Sequence, residues 1–145
     1  MKIWIFTLCR NAVDVLPFYL RNYSTIATQI NVWDDESTDG SRELLSAHPK
    51  VKLHHWTYKD RGIDEDLFLE FAHQTYPQAT GFADWIIWVD CDELIHCADL
   101  PGALERARDH DVIKPAGFNM TGDGLPTAAA GTSGTAGKRS LPVTA

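Results

Sequence analysis

An α/β domain built on an open, mostly parallel sheet is the fold this sequence predicts, and three observations predict it. Apolar runs rich in β-branched and aromatic residues alternate with stretches of helical spacing along most of the chain, the pattern of strands joined by crossover helices. Two of these runs end directly in acids, Asp34-Asp35-Glu36 and Asp90-Cys91-Asp92-Glu93, and in open parallel sheets the C-terminal strand ends carry the ligand chemistry. The run before the second acid cluster, Trp85-Ile86-Ile87-Trp88-Val89, is apolar without alternation, as in a strand covered on both faces. That strand is expected at the centre of the sheet.

Taken in order, residues 2–8 form the first strand, apolar at Ile3, Trp4, Ile5 and Phe6. Cys9-Arg10-Asn11 is a polar loop, and Asp14 is placed to cap a helix that tolerates Pro17 in its first turn. Leu16, Tyr19, Leu20 and Tyr23 recur at helical spacing as its sheet-facing stripe. Residues 29–33 form the second strand. Ser37, Thr38 or Asp39 would cap the next helix, which carries Leu44 and Leu45 and is closed by Pro49. Residues 51–56 form the third strand. After a charged loop that holds Lys59 and Arg61, Asp64-Glu65-Asp66 sets acids in the first turn of a helix, where its dipole favours them. Leu67, Phe68, Phe71 and Ala72 make its buried stripe, and Pro77 stops it. The fourth strand is 85–89, a short helix with Pro101 in its first turn covers 98–108, and 111–116 is read as a return to the sheet. The alternation amounts to a Rossmann-like domain over 1–120. The tail, 121–145, has no aromatic residue, and from 127 onward Ala, Gly, Thr, Ser and Pro dominate it. Such a composition buries too little apolar surface to offset the entropy of ordering, so a disordered tail on a truncated domain is expected.

Composition narrows the partners. A chain of 145 residues, 44% hydrophobic, can bury one core. The net charge is −7; Asp123 against Lys138 and Arg139 gives the end of the chain a local +1, which leaves −8 on residues 1–121. A surface of that sign repels a phosphate backbone, so nucleic acid is not an expected partner. Cys9, Cys91 and Cys97 form no C-x-x-C pair, and reduced thiols in a cytoplasmic protein are expected. The apolar N-terminal run is too short to span a membrane; association with a membrane surface is left open.

Asp90 and Asp92, two residues apart in extended chain, point to the same side with Cα atoms about 6.6 Å apart. Their charges repel by roughly 2–3 kcal/mol at an effective dielectric near 20. A divalent cation held by oxygen ligands offsets such repulsion, and Mg²⁺ is typically bound by one or two carboxylates together with substrate phosphates. The plain alternative is a pair of solvated loop acids.

Asp34-Asp35-Glu36-Ser37-Thr38-Asp39-Gly40-Ser41 after the second strand, with Val89-Asp90-Cys91-Asp92-Glu93 after the fourth, resembles the GT-A glycosyltransferases of family 2. In those enzymes a D-D-x-S-x-D-G-S segment and a D-x-D follow the same strands in the same order. Leu8-Cys9-Arg10-Asn11 is similar to the R-N-E stretch of a subgroup, with Ala12 where the Glu would stand. The resemblance covers roughly residues 2–126 and implies the nucleotide-binding half of such an enzyme. It implies that Asp35 and Asp34 accept hydrogen bonds from the nucleoside base, with Thr7 and Arg10 lining the same pocket. Asp90 and Asp92 would hold Mn²⁺ or Mg²⁺ against the diphosphate of a nucleoside diphosphate sugar. Lys59 and Arg61 stand as partners for phosphate or base, or as an ordinary solvated loop. The family's general base lies in a C-terminal half that nothing here matches, so the catalytic residue is unassigned. The acceptor, a glycan or a lipid-linked molecule, is open as well. Two alternatives remain: a non-catalytic remnant that binds a nucleotide sugar, and a GT-A-like nucleotidyltransferase. Nucleotidyltransferases of that shape carry a glycine-rich loop after the first strand, which Cys9-Arg10-Asn11-Ala12-Val13 lacks.

Overall fold

The computed structural model describes residues 1–57 and 65–119, with the backbone alone for 65–68. The elements run β1 (Ile3–Cys9), α1 (Leu16–Tyr23), β2 (Gln29–Asp35), α2 (Ser41–Ser46), β3 (Val51–Trp56), α3 (Glu65–Thr75), a 3₁₀ turn (Tyr76–Ala79), β4 (Trp85–Trp88) and α4 (Leu100–Arg106). The strands form one sheet in the order β3-β2-β1-β4, and every pairing is parallel. This is a small, open, Rossmann-like α/β architecture.

Period-two alternation sends the strand side chains to two different cores. On one face Ile3, Ile5, Ile30, Val32 and Ile87 pack with Leu16, Tyr19 and Tyr23 of α1, Leu45 of α2 and Leu104 of α4. On the other, Phe6 and Trp33, with Trp4, Trp56 and Trp88 at their margin, pack against Phe71 of α3. The layers are therefore helix, sheet, helix.

Several expectations are corrected. The Trp85-to-Val89 run is not central: β4 pairs only with β1 and lies at an edge among the described strands. Its unbroken apolarity reports cover above and below, Ile87 in one core and Trp88 beside the other, and that says nothing about lateral neighbours. The central strands are β1 and β2, which are longer and more fully buried. Asp14 does not cap α1. The N-cap is Val15 without a side-chain bond, and the turn is closed by Val15 and Leu16 amides donating to Ala12 O. Ser37, Thr38 and Asp39 do not cap α2 either; Gly40 does, at φ +97°, a left-handed conformation that suits glycine. Residues 111–116 carry no strand and are exposed. Pro115 has no amide to donate, and Val112-Ile113 alone is too short an apolar stretch to make a strand.

The chain divides into two units, Met1–Arg108 and Asp109–Ala145, the second described only as far as residue 119. In the second, residues 109–119 form neither helix nor strand. The charged loop with Lys59 and Arg61, the acid Asp64, the Leu67 and Phe68 side chains and the tail over 121–145 lie outside the described residues. No helix among the described residues is long and apolar enough to cross a membrane.

Candidate functional site

The chain steps from β1 to β2 to β3 on one side and then returns to place β4 on β1's other side. The sheet therefore has a topological switch point between β1 and β4, and beyond the C-terminal ends of such strands a crevice opens. A cavity of about 650 Å³ lies there. It is lined by the turn after β1, residues 8–12, by Asp35 from the end of β2, and by Trp88 and residues 90–93.

Four of the residues singled out from the sequence come together in it: Arg10, Asp35, Asp90 and Asp92. Thr7 and Asp34 do not line it. Strand neighbours alternate faces, so Asp35 shares a side with Trp33 and Asp34 does not. Thr7 is fully buried, its Oγ1 donating to Leu8 O at 3.1 Å. Asp34 is also buried; its Oδ2 accepts from Ser37 N at 3.3 Å and pairs with Arg42 Nε at 3.4 Å. Asp34 Oδ1 has no hydrogen-bond partner among the described residues. Of the two acids for which base recognition is implied, Asp35 alone lines this cavity. That carboxylate is 7% exposed and meets Arg10 Nη1 at 3.1 Å, while the Arg10 side chain is 66% exposed.

The Ser-Thr-Asp-Gly-Ser segment holds the turn after β1 in place. Asn11 N donates to Ser37 Oγ at 2.9 Å, Ala12 N to Ser41 Oγ at 2.9 Å and Val13 N to Asp39 Oδ2 at 3.0 Å, while Thr38 N donates to Asn11 Oδ1 at 2.8 Å. Asn11 takes φ +50°, a left-handed conformation that Asn tolerates better than most residues. The Asp39 carboxyl is held below its ordinary range, first by the Ser41 hydroxyl and then by the Val13 amide. Spacing alone suggested a helix cap for these residues; their use as a clasp between two loops depends on the strands being neighbours.

The acidic segment has its own supports. Asp90 N donates to Glu93 Oε2 at 3.1 Å, so Glu93 folds back onto the backbone. The Asp90 carboxyl is raised above its ordinary value by desolvation, then by the charges of Glu93 and Asp92. Tyr23, which spacing marked only as core, reaches the same segment: its hydroxyl donates to Glu93 O at 3.0 Å and accepts from Ile95 N at 3.0 Å. Burial pushes that hydroxyl up to about 12, so it remains a donor across the physiological range. Tyr23→Phe would leave both backbone groups unpaired, at a cost of about 1–3 kcal/mol. Urea unfolding would measure this, together with faster amide exchange at Ile95; an unchanged Ile95 amide would refute the tether.

Cys9 and Cys91 also belong to the cavity wall. The Cys9 thiol is lowered chiefly by hydrogen bonding with Cys91, and the Cys91 thiol is raised by the same contact and by burial.

Among the described residues no three His, Cys, Asp or Glu side chains are gathered where they could hold a metal ion by themselves. The site thus defines a class, a parallel α/β domain with a carboxylate-walled cavity at its switch point. No protein-family model matches the chain, and no curated protein matches it.

Proposed function

We propose that this cavity binds a nucleoside diphosphate sugar together with Mn²⁺ or Mg²⁺, and that the chain is the donor-binding part of a family 2-like glycosyltransferase of the GT-A type. The observation that carries the reading is convergence: Arg10, Asp35, Asp90 and Asp92 line a single cavity at the C-terminal ends of parallel strands. In this reading Asp35 accepts hydrogen bonds from the base, and Arg10, already paired with it, holds the carboxylate in place. Asp90 and Asp92 supply two oxygen donors, which suit a hard cation, and the remaining positions fall to phosphate and water. The Asp90 carboxyl is raised first by desolvation and then by the charges of Glu93 and Asp92, and a bound cation would offset all three. When bound, the cation neutralises charge on the leaving diphosphate without proton transfer. Trp88 and Leu8 give the cavity apolar wall against which a ring can pack.

Calorimetric titration with UDP-, GDP- and dTDP-sugars, with and without Mn²⁺, tests the proposal. Binding of one donor is expected only with the metal. Asp35→Asn should weaken that binding about tenfold, roughly 1.4 kcal/mol, and leave the metal requirement in place. Binding that ignores Mn²⁺, or none by any donor, would end this reading. Binding without sugar transfer to any acceptor would favour the donor-binding remnant.

A further inference from the structure

The β1–β4 ladder keeps a constant offset through Ile3↔Trp85, Trp4↔Ile86, Ile5↔Ile87 and Phe6↔Trp88. One more rung follows, with Val89 N donating to Phe6 O at 3.2 Å. The same offset carried forward sets Cys91 beside Cys9. The side chains agree, because Cys91 Sγ donates to Leu8 O at 3.1 Å and lies 3.5 Å from Thr7 Oγ1. Both cysteines belong to the core on the α1 face, so they stand on the same side of the sheet. Adjacent strands lie about 4.8 Å apart, inside the roughly 4.4–6.8 Å of Cα separation that a disulfide spans. Both thiols are free and buried, and both form part of the cavity wall. A small oxidant entering the cavity therefore meets them together.

We propose that Cys9 and Cys91 are a paired-thiol site that a hydroperoxide closes into an intramolecular disulfide. One sulfur attacks the peroxide, the O–O bond breaks, and a sulfenic acid and one water form. The second sulfur then attacks the first and displaces its hydroxyl as a second water. Two thiols lose two hydrogens and two electrons, and hydrogen peroxide is reduced to two waters. The crosslink ties the segment bearing Asp90 and Asp92 to the end of β1. It does not depend on what the cavity binds.

The test uses the full chain carrying Cys97→Ser, which removes the exposed thiol and leaves only the pair. After hydrogen peroxide the chain is denatured, alkylated with iodoacetamide and weighed. The expected product has lost the mass of two hydrogens, takes no alkyl group until a reductant is added, and yields a peptide joining Cys9 to Cys91. Adding Cys91→Ser should abolish the joined peptide. Two alkylated thiols after peroxide treatment, oxygen added to either sulfur without the joined peptide, or a crosslink between two chains would each overturn the proposal. Because the decisive readout is on the Cys97→Ser chain, it stands even if the Cys91→Ser chain folds poorly.

Discussion

Phe71→Ala is expected to destabilise the domain by about 3–5 kcal/mol, the range for emptying a buried aromatic site. The Phe71 ring is fully buried and meets Trp56 at 4.4 Å, Trp33 at 5.2 Å and Trp88 at 5.4 Å between centroids, all edge-on. Those three rings come from β3, β2 and β4, so one side chain of α3 clasps three strands. Edge-on aromatic pairs add about 0.5–1.5 kcal/mol each beyond area burial, which puts the loss toward the upper end. A domain with a total of about 5–15 kcal/mol would then be near the edge of folding. Urea denaturation measures the change, and Phe71→Leu, which refills most of the volume, should recover more than half of it. A loss under about 1 kcal/mol for the Ala variant would mean that α3 does not hold this face of the sheet.

Asp90→Asn and Asp92→Asn should each weaken Mn²⁺-dependent donor binding at least about tenfold and yet raise the melting temperature of the metal-free protein. The two effects share one cause. The Asp90 carboxyl is held above its ordinary value of 3.8 by desolvation, then by Glu93 and Asp92. An acid raised in the folded state costs nothing below its unfolded value. It costs stability progressively as the pH rises through the folded one. Where that carboxylate is charged, replacing it relieves the fold and at the same time deprives a cation of its ligand. Asp90→Asn should therefore lose less stability than the parent as the pH rises above the ordinary carboxylate value. Thermal unfolding followed against pH, with and without Mn²⁺, separates these effects. A metal-free Asp90→Asn chain that melts lower than the parent would contradict the repulsion, and unchanged Mn²⁺-dependent binding would contradict the ligand role.

Much of the architecture was legible because local pattern and fold agree. Val51–Trp56 is the strand its composition indicated, and Leu16, Tyr19, Leu20 and Tyr23 are the buried face of α1. Lateral order was not legible. Trp85–Trp88 reads as covered on both faces, which it is, but whether a strand has one neighbour or two leaves no trace in its own residues. The site divides in the same way. Asp35 and the Asp90/Asp92 pair could be placed at strand ends from apolar runs that stop in acids. That Asp34 and Asp35 point to opposite sides of the sheet was available from period two alone, once β2 is seen to continue through both acids. Tyr23's hydrogen bonds to Glu93 and Ile95 had no such signal, since nothing in helical spacing distinguishes a ring that fills the core from one whose hydroxyl reaches through it.

The return of the chain to lay β4 beside β1 has an entropic side. β1 reaches β2 across a separation of 25 residues, as between Thr28 and Ile3, but it reaches β4 across 82, as between Lys2 and Asp84. Closing the longer loop costs about 1 kcal/mol more in chain entropy, and the four residues of β4 give few ladder bonds in return. The cavity is complete only when residues 90–93 have joined residues 8–12. In chain order Arg10 and Asp35 precede by more than fifty residues the acids at 90 and 92 with which they share the cavity, so the part of the pocket that depends on the longest loop closure is the part that carries the D-x-D.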